Sequence, residues 1–191
     1  MGAREDREYL ERLFPEFKEF RDDRLRAQVL ATWIDAWHRS GFRRLEDARF
    51  MPDTPKRSLV AHVRAVIRNS LAIADTLTHV HRIRVDRDMV LALAFLHDAS
   101  KILENEKKKD GSYGKSRLGK FYPHGFLAAE IAKQHGVPEE ICGMVSYHSP
   151  SIKFAHHRLE SVILHEGDMA DADALYFDAG VMNERLKKGA K

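Results

Sequence analysis

Cysteine is almost absent from this chain. The single thiol, Cys142, has no partner for an intramolecular disulfide and cannot by itself build a thiolate zinc site. No stretch has the apolar length of a transmembrane helix, and the start, Met1-Gly-Ala-Arg-Glu-Asp-Arg-Glu, lacks the apolar core of a secretory leader. The expectation is a cytoplasmic protein with no membrane partner. A one-sided charge is missing too. The chain carries 32 basic and 29 acidic residues, a formal net charge of +3, so its pI near 9.0 gives little support for nucleic-acid binding and none is expected. Strand signals are scarce, because no alternating β-branched run is bounded by hairpin turns. There is no internal repeat, and no low-complexity run exceeds Lys107-Lys108-Lys109.

What the chain does have is helical periodicity and eleven histidines in 191 residues. A composition of 43% hydrophobic and 32% charged residues suits a globular protein with a solvated surface. Residues 5–50 read as two or three amphipathic helices, with Pro15 opening one and Gly41 closing the segment that holds Trp33, Ile34 and Trp37. Met51-Pro-Asp-Thr-Pro is a breaker and a domain boundary. A helix is expected from Ser58 to about Leu77. Another starts near Asp86 or Asp88 and carries Leu91, Phe95 and Ile102 on one face. The lysine run and Gly111 to Gly119 read as a polar loop. A helix follows from His124 to about His135, Gly136-Val137-Pro138 breaks it, and the next ends near His148. The last clear helix covers about Leu159 to Ala172. The reading is an all-α bundle, with an N-terminal helical extension over 1–54 packed on a core domain over 55–191.

The chemistry lies where histidines and carboxylates meet apolar helical faces. His62 falls one turn from both Leu59 and Val66. His97 and Asp98 end the apolar run Leu91-Ala-Leu-Ala-Phe-Leu, and burying an ionised carboxylate there is costly unless it is paired or metal-bound. His124 opens one helix, His148 closes another, and Asp168 lies one turn past Leu164. Four histidines and two aspartates are thus each tied to the inner face or end of a helix, and a bundle can bring such groups together in its core. Imidazole nitrogen with carboxylate oxygen suits iron, manganese, zinc, cobalt or nickel. A plainer role as helix caps remains open for His124 and His148, and would leave a mononuclear site.

The ordered set His62, His97-Asp98, His124, His148 and Asp168 resembles the HD superfamily of metal-dependent phosphohydrolases, in its two-metal branch. Pro123-His124-Gly125, Tyr147-His148-Ser149 and the Asp168 segment are similar to small bacterial HD hydrolases of diadenosine tetraphosphate. The resemblance covers roughly residues 55–175 and implies an HD-domain helical bundle. It implies one metal on His62, His97, Asp98 and Asp168, and a second on His124, His148 and the other oxygen of Asp98. These would be two divalent transition-metal ions, iron or manganese first, with a hydroxide between them as nucleophile. Lys101, one turn after His97, matches the His-Asp-x-x-Lys form; it either holds a phosphate oxygen or is a solvated lysine at a helix C-terminus.

The implied activity is hydrolysis of a nucleotide or other small anionic phosphate ester. Two alternatives share the ligand set: a mixed-valent di-iron oxygenase cleaving a C–C or C–P bond, and a non-catalytic sensing module. A homodimer is left open. The N-terminal 50 residues have no counterpart in the family pattern, and the loop from Glu104 to Phe121 is longer and more basic than that pattern. Ala99-Ser100-Lys101 replaces the acidic pair of the stringent-nucleotide hydrolases, which argues against that activity. Gly111-Ser-Tyr-Gly-Lys-Ser is not a phosphate loop, since the first glycine of that motif would fall at Lys109 and no strand precedes it. Its Lys115, with Arg117 and Lys120, can still attract an anion. Trp33 and Trp37 read as core. His38, His79, His81 and His135 read as surface or helix-end residues, His156-His157 as a solvated turn, and His165 as support for Asp168.

Overall fold

The computed structural model describes residues 2–51, 57–149 and 157–180. The fold is all-α, with 68% of the described residues in helices. It is organised around the most apolar segment of the chain. Helix α4 (Arg87–Leu96) buries every side chain from Met89 to Leu96. A helix apolar on all sides must be surrounded, and α4 packs against α2 (Asp23–Arg39), α3 (Leu59–His79), α8 (Glu139–Tyr147) and α9 (Leu159–Asp178). Its start is set by Asp86, whose carboxylate accepts from the Met89 amide at 3.0 Å. The Asp86 amide in turn donates to Glu160 of α9 at 2.9 Å.

Helix α3 turns one face inward through Leu59, His62, Val63, Val66, Ile67, Ser70, Leu71 and Ala74. Ser70 meets Gly167 of α9, where an added Cβ would lie 2.4 Å from the Ser70 hydroxyl oxygen. Only glycine permits this approach, and it brings Asp168, the next residue, up to α3. Among the described residues no helix is long and apolar enough to cross a membrane.

The N-terminal segment shares the same core. Helix α1 (Ala3–Leu13) leads into a 3₁₀ turn, Pro15–Glu19, so Pro15 opens a tight turn where an α-helix was expected. Helix α2 starts later, behind an Asp22 side chain that accepts from the amides of Arg24 and Leu25. Phe17 stacks on Phe95 of α4 at 4.2 Å between centroids, and Phe14 packs on Trp33 at 5.1 Å. Trp33 is fully buried, and its indole N–H donates to the Phe95 carbonyl at 2.9 Å. Both tryptophans are core residues, as expected. The boundary expected after residue 54 lies outside the described residues.

Two expectations are corrected. The helix carrying Leu91 and Phe95 does not continue to Ile102. It stops at Leu96, and i→i+3 bonds (Ala99 N–H to Leu96 O at 3.1 Å, Lys101 N–H to Asp98 O at 3.0 Å) turn the chain before the short helix α5 (Lys101–Glu104). The polar loop also contains an antiparallel hairpin of β1 (Asn105–Lys107) and β2 (Tyr113–Lys115), followed by α6 (Arg117–Phe121). Its strands are short and polar, so no hydrophobic alternation announces them. The signal was Asp110-Gly111: Gly111 has φ +84°, and the Asp110 carboxylate accepts from the Ser112 amide at 2.9 Å. Smaller shifts affect helix ends. Helix α7 (Phe126–Gln134) begins two residues after His124, which therefore lies in the turn before it, and α9 runs on past Ala172 to Asp178.

Candidate metal centre

The break after Leu96 places the His97-Asp98 pair. A helix ends with carbonyls that lack intrahelical donors. At the end of α4, the Ala94 carbonyl takes the Nδ1–H of His97 at 2.8 Å, and the Phe95 carbonyl takes the Trp33 indole. Helix α8 ends in the same way, with His148 Nδ1 2.7 Å from the Val145 carbonyl three residues back. His62 reaches the same space from α3, and its Nδ1 lies 2.7 Å from an Asp171 oxygen on α9. His124 Nδ1 lies 2.8 Å from Glu104 Oε2. Each imidazole thus has its Nδ1–H committed to an oxygen, so Nε2 is the atom turned inward.

Those four Nε2 atoms converge on Asp98. His124 Nε2 is 2.9 Å from Asp98 Oδ1 and His148 Nε2 is 4.0 Å from it. On the other oxygen, Oδ2, His62 Nε2 is at 3.2 Å and His97 Nε2 at 3.5 Å. Asp168 Oδ1 joins that second group, 3.3 Å from His62 Nε2 and 3.9 Å from His97 Nε2. The potential ligand atoms of His62, His97 and Asp98 lie within 4.8 Å of one another, as do those of Asp98, His124 and His148. All six candidate ligands therefore meet in one cluster, and Asp98 belongs to both halves.

The donor set fits a cation. Asp98 is 1% exposed, and its Oδ2 makes no aligned hydrogen bond although Lys101 Nζ is only 2.6 Å away. His62 Nε2 and His97 Nε2 face each other at 3.4 Å. Buried carboxylate oxygens and imidazole nitrogens turned toward one point are costly without positive charge between them. The titration of the groups shows the same demand. Burial opposes ionisation of Asp98, but the Lys101 ammonium and the histidines hold its carboxyl well below the usual carboxylate range. Burial likewise opposes the charged form of His62, yet Asp168, Asp171 and Asp98 outweigh it and push its pKa up to about 10. His124 is raised to about 9 against burial by Asp98 and Glu104. Burial and the neighbouring histidines lower His148 to about 3, and burial lowers His97, so both stay neutral.

Lys101 is buried, salt-bridged to Asp98, and its ammonium lies 4.1 Å from the centre of the Phe50 ring. It is not a solvated lysine. The cluster opens to a cavity of about 300 Å³ whose wall includes Asp98, Lys101, Lys115, His124, His148 and Asp168. Three contributors were not anticipated. Asp171 backs His62, and its signal was the i+3 spacing from Asp168. Glu104 backs His124, accepts the Ser100 hydroxyl at 2.6 Å through its other oxygen, and is held at about 2 because His124, Ser100 and Lys115 outweigh its burial. Phe50 packs 3.9 Å from the His62 ring, carried there by the Phe50 N–H to Arg57 O bond of 3.0 Å, and no local pattern marks it. His38 and His135 pair instead with Asp6 and Asp35, away from the cluster. His156 lies outside the described residues.

The family model described as the HD domain matches residues 59–178, a span that contains every member of the cluster from His62 to Asp171. Among curated proteins the chain is similar to a dihydroneopterin 2',3'-cyclic phosphate phosphodiesterase of Methanocaldococcus jannaschii. The two are 29% identical over 114 residues, 60% of this chain and 46% of that relative, so the match spans less than half the relative's length. No solved structure matches.

Proposed function

Because the chain belongs to the HD-domain family, we propose that it is a metal-dependent phosphohydrolase that cleaves a small phosphate ester at a dinuclear His/Asp centre. One observation carries this reading. Asp98 turns Oδ1 toward His124 and His148 and Oδ2 toward His62 and His97, which supports a reading in which one carboxylate serves two cations. His62, His97, Asp98 and Asp168 would hold one ion, and His124, His148 and Asp98 the other, with iron or manganese favoured. When bound, such ions supply Lewis acidity toward a phosphoryl oxygen and acidify water at neutral pH.

The chain's own residues do the rest. Asp171 and Glu104, with the Ala94 and Val145 carbonyls, hold each imidazole in the tautomer that presents Nε2. Lys101 offsets the charge of Asp98 and stands at the cavity wall, where its ammonium can meet a phosphoryl oxygen. A relative named for a cyclic phosphodiester supports a phosphate ester as the substrate class.

The test is Asp98→Ala, assayed for metal content and for hydrolysis of a panel of phosphate mono- and diesters under nitrogen. The expected result is loss of both metals and of turnover, with wild-type activity independent of oxygen. Full activity in the variant, or wild-type turnover that consumes oxygen, overturns the proposal.

A further inference from the structure

The cavity over the cluster is chemically two-sided. Helix α9 gives its wall Met169, Ala172 and Tyr176, whereas the turn before α7 and strand β2 give it His124 and Lys115. Met169 and Ala172 are buried in a small apolar cluster with Phe50, against which Tyr176 packs. Phe50 also lines the cavity, with the His62 ring at 3.9 Å and the Lys101 ammonium at 4.1 Å from its ring centre. The apolar part of the cavity wall is thus that of α9 with Phe50 and Met51 beside it.

The cationic end is distinct in kind. Lys101 has one donor on Asp98 at 2.6 Å, whereas among the described residues the half-exposed Lys115 is paired only at a long 3.6 Å, with a Glu104 oxygen that already accepts from His124 at 2.8 Å. An ammonium has three donors, so Lys115 retains capacity for an anion. Its backbone is also fixed. It pairs with Asn105 in the hairpin, and the next residue, Ser116, donates its amide to the Glu104 carbonyl at 2.8 Å and its hydroxyl to Leu103 O at 2.5 Å. Gly119 closes on the same carbonyl so tightly that a Cβ would stand 2.1 Å from it. Lys115 thus reaches the cavity from a braced support, next to the carboxylate that backs His124.

The geometry points to Lys115 as the anchor for the substrate's phosphoryl group, with Met169, Ala172 and Tyr176 as the seat of an apolar, ring-bearing organic moiety. This deepens the phosphohydrolase reading and rests on it. The substrate lies across the centre, its anion toward His124 and its organic part toward His62 and α9. A cavity of about 300 Å³ is at the small end for ligand sites and suits one phosphoryl group on one ring system.

Calorimetry on metal-loaded protein with two probes, inorganic phosphate and phenyl phosphate, tests the assignment. Lys115→Met, which removes the charge and keeps the stem, is expected to weaken both probes by about tenfold with metal content unchanged. Lys115→Arg restores binding. Lys18→Met, an equal loss of charge in the Pro15–Glu19 turn, leaves affinity at the wild-type value. Tyr176→Ala, with its helix content verified by circular dichroism, weakens phenyl phosphate and not inorganic phosphate. Wild-type binding of phosphate that survives intact in Lys115→Met overturns the anchor alone, as does an equal loss in Lys18→Met. Equal weakening of both probes by Tyr176→Ala overturns the apolar seat. Absence of phosphate binding by the wild type removes the phosphohydrolase reading and this inference with it.

Discussion

Glu104→Gln separates the two halves of the centre. Glu104 is 1% exposed; one oxygen accepts His124 Nδ1–H at 2.8 Å and the other accepts the Ser100 hydroxyl at 2.6 Å. The amide of glutamine can keep both bonds. Its oxygen faces His124, and its NH₂ donates to Ser100, whose hydroxyl rotates to accept. What disappears is the negative charge, and with it the electrostatic support that makes His124 a stronger base. Carboxylates behind metal-bound histidines contribute about 10- to 100-fold in affinity. Because the hydrogen-bond count survives, the low end applies: a loss of about tenfold, or ~1.4 kcal/mol. On the dinuclear reading, the loss should be confined to the ion that His124 and His148 would hold, since the other half of the cluster is backed by Asp171 and the Ala94 carbonyl. Metal per protein, measured by plasma emission after dialysis against graded chelator, should show one equivalent leaving early and one at the wild-type position. Two equivalents lost in parallel, or no change in either, would refute the reasoning.

Metal loading near neutral pH should expel protons, because His62 and His124 are raised to about 10 and about 9 by the carboxylates around them. Calorimetric titrations in buffers of different ionisation heat measure the release, and a heat independent of buffer contradicts it. The sign for stability is opposite. A histidine raised above its ordinary 6.5 stabilises the metal-free protein fully below that value, and this contribution fades as pH rises toward about 9 to 10. Urea midpoints of the chelated protein should therefore fall across that window. Trp33→Phe strands the buried Phe95 carbonyl and leaves a small void, at a combined cost of about 2–4 kcal/mol by urea unfolding; a change under ~0.5 kcal/mol would show that water replaces the bond. Gly125→Ala forces φ +86° on an L-residue and sets a Cβ 2.6 Å from the Val145 carbonyl that holds His148. A cost of about 1–3 kcal/mol is expected, with weaker binding of the ion at His148; unchanged stability and metal content would contradict it.

The residues that gather around Asp98 were legible because most stand on an apolar helical face or at its end. His62 interrupts the inward stripe of α3, and His97-Asp98 follow the longest buried run. Their supports were not legible in the same way. Glu104 falls after a break that the periodicity hides, since Ala99 and Ile102 continue the apolar spacing across a turn. The decision to turn there is tertiary, made by Trp33 and the His97 ring, which take the two carbonyls at the end of α4. Lys115 reaches the cavity through a hairpin of three-residue polar strands, too short for period-two patterning, although Asp110-Gly111 marked the reversal. Asp171 was readable as the next turn of the Asp168 face.

The bond from Trp33 to the Phe95 carbonyl also gives the molecule an optical reporter. Indole emission depends on the polarity around the ring and on quenching groups nearby, and Trp33 is fully buried, packed on Phe14 and bonded to the carbonyl of Phe95, two residues before His97. The protein has one other tryptophan, Trp37, on the neighbouring turn of α2 and bonded to Phe42 O. In a Trp37→Phe background, all indole emission would come from behind the centre. Any shift of the end of α4 as ions enter would then appear as a change in wavelength or lifetime, read continuously and without a label.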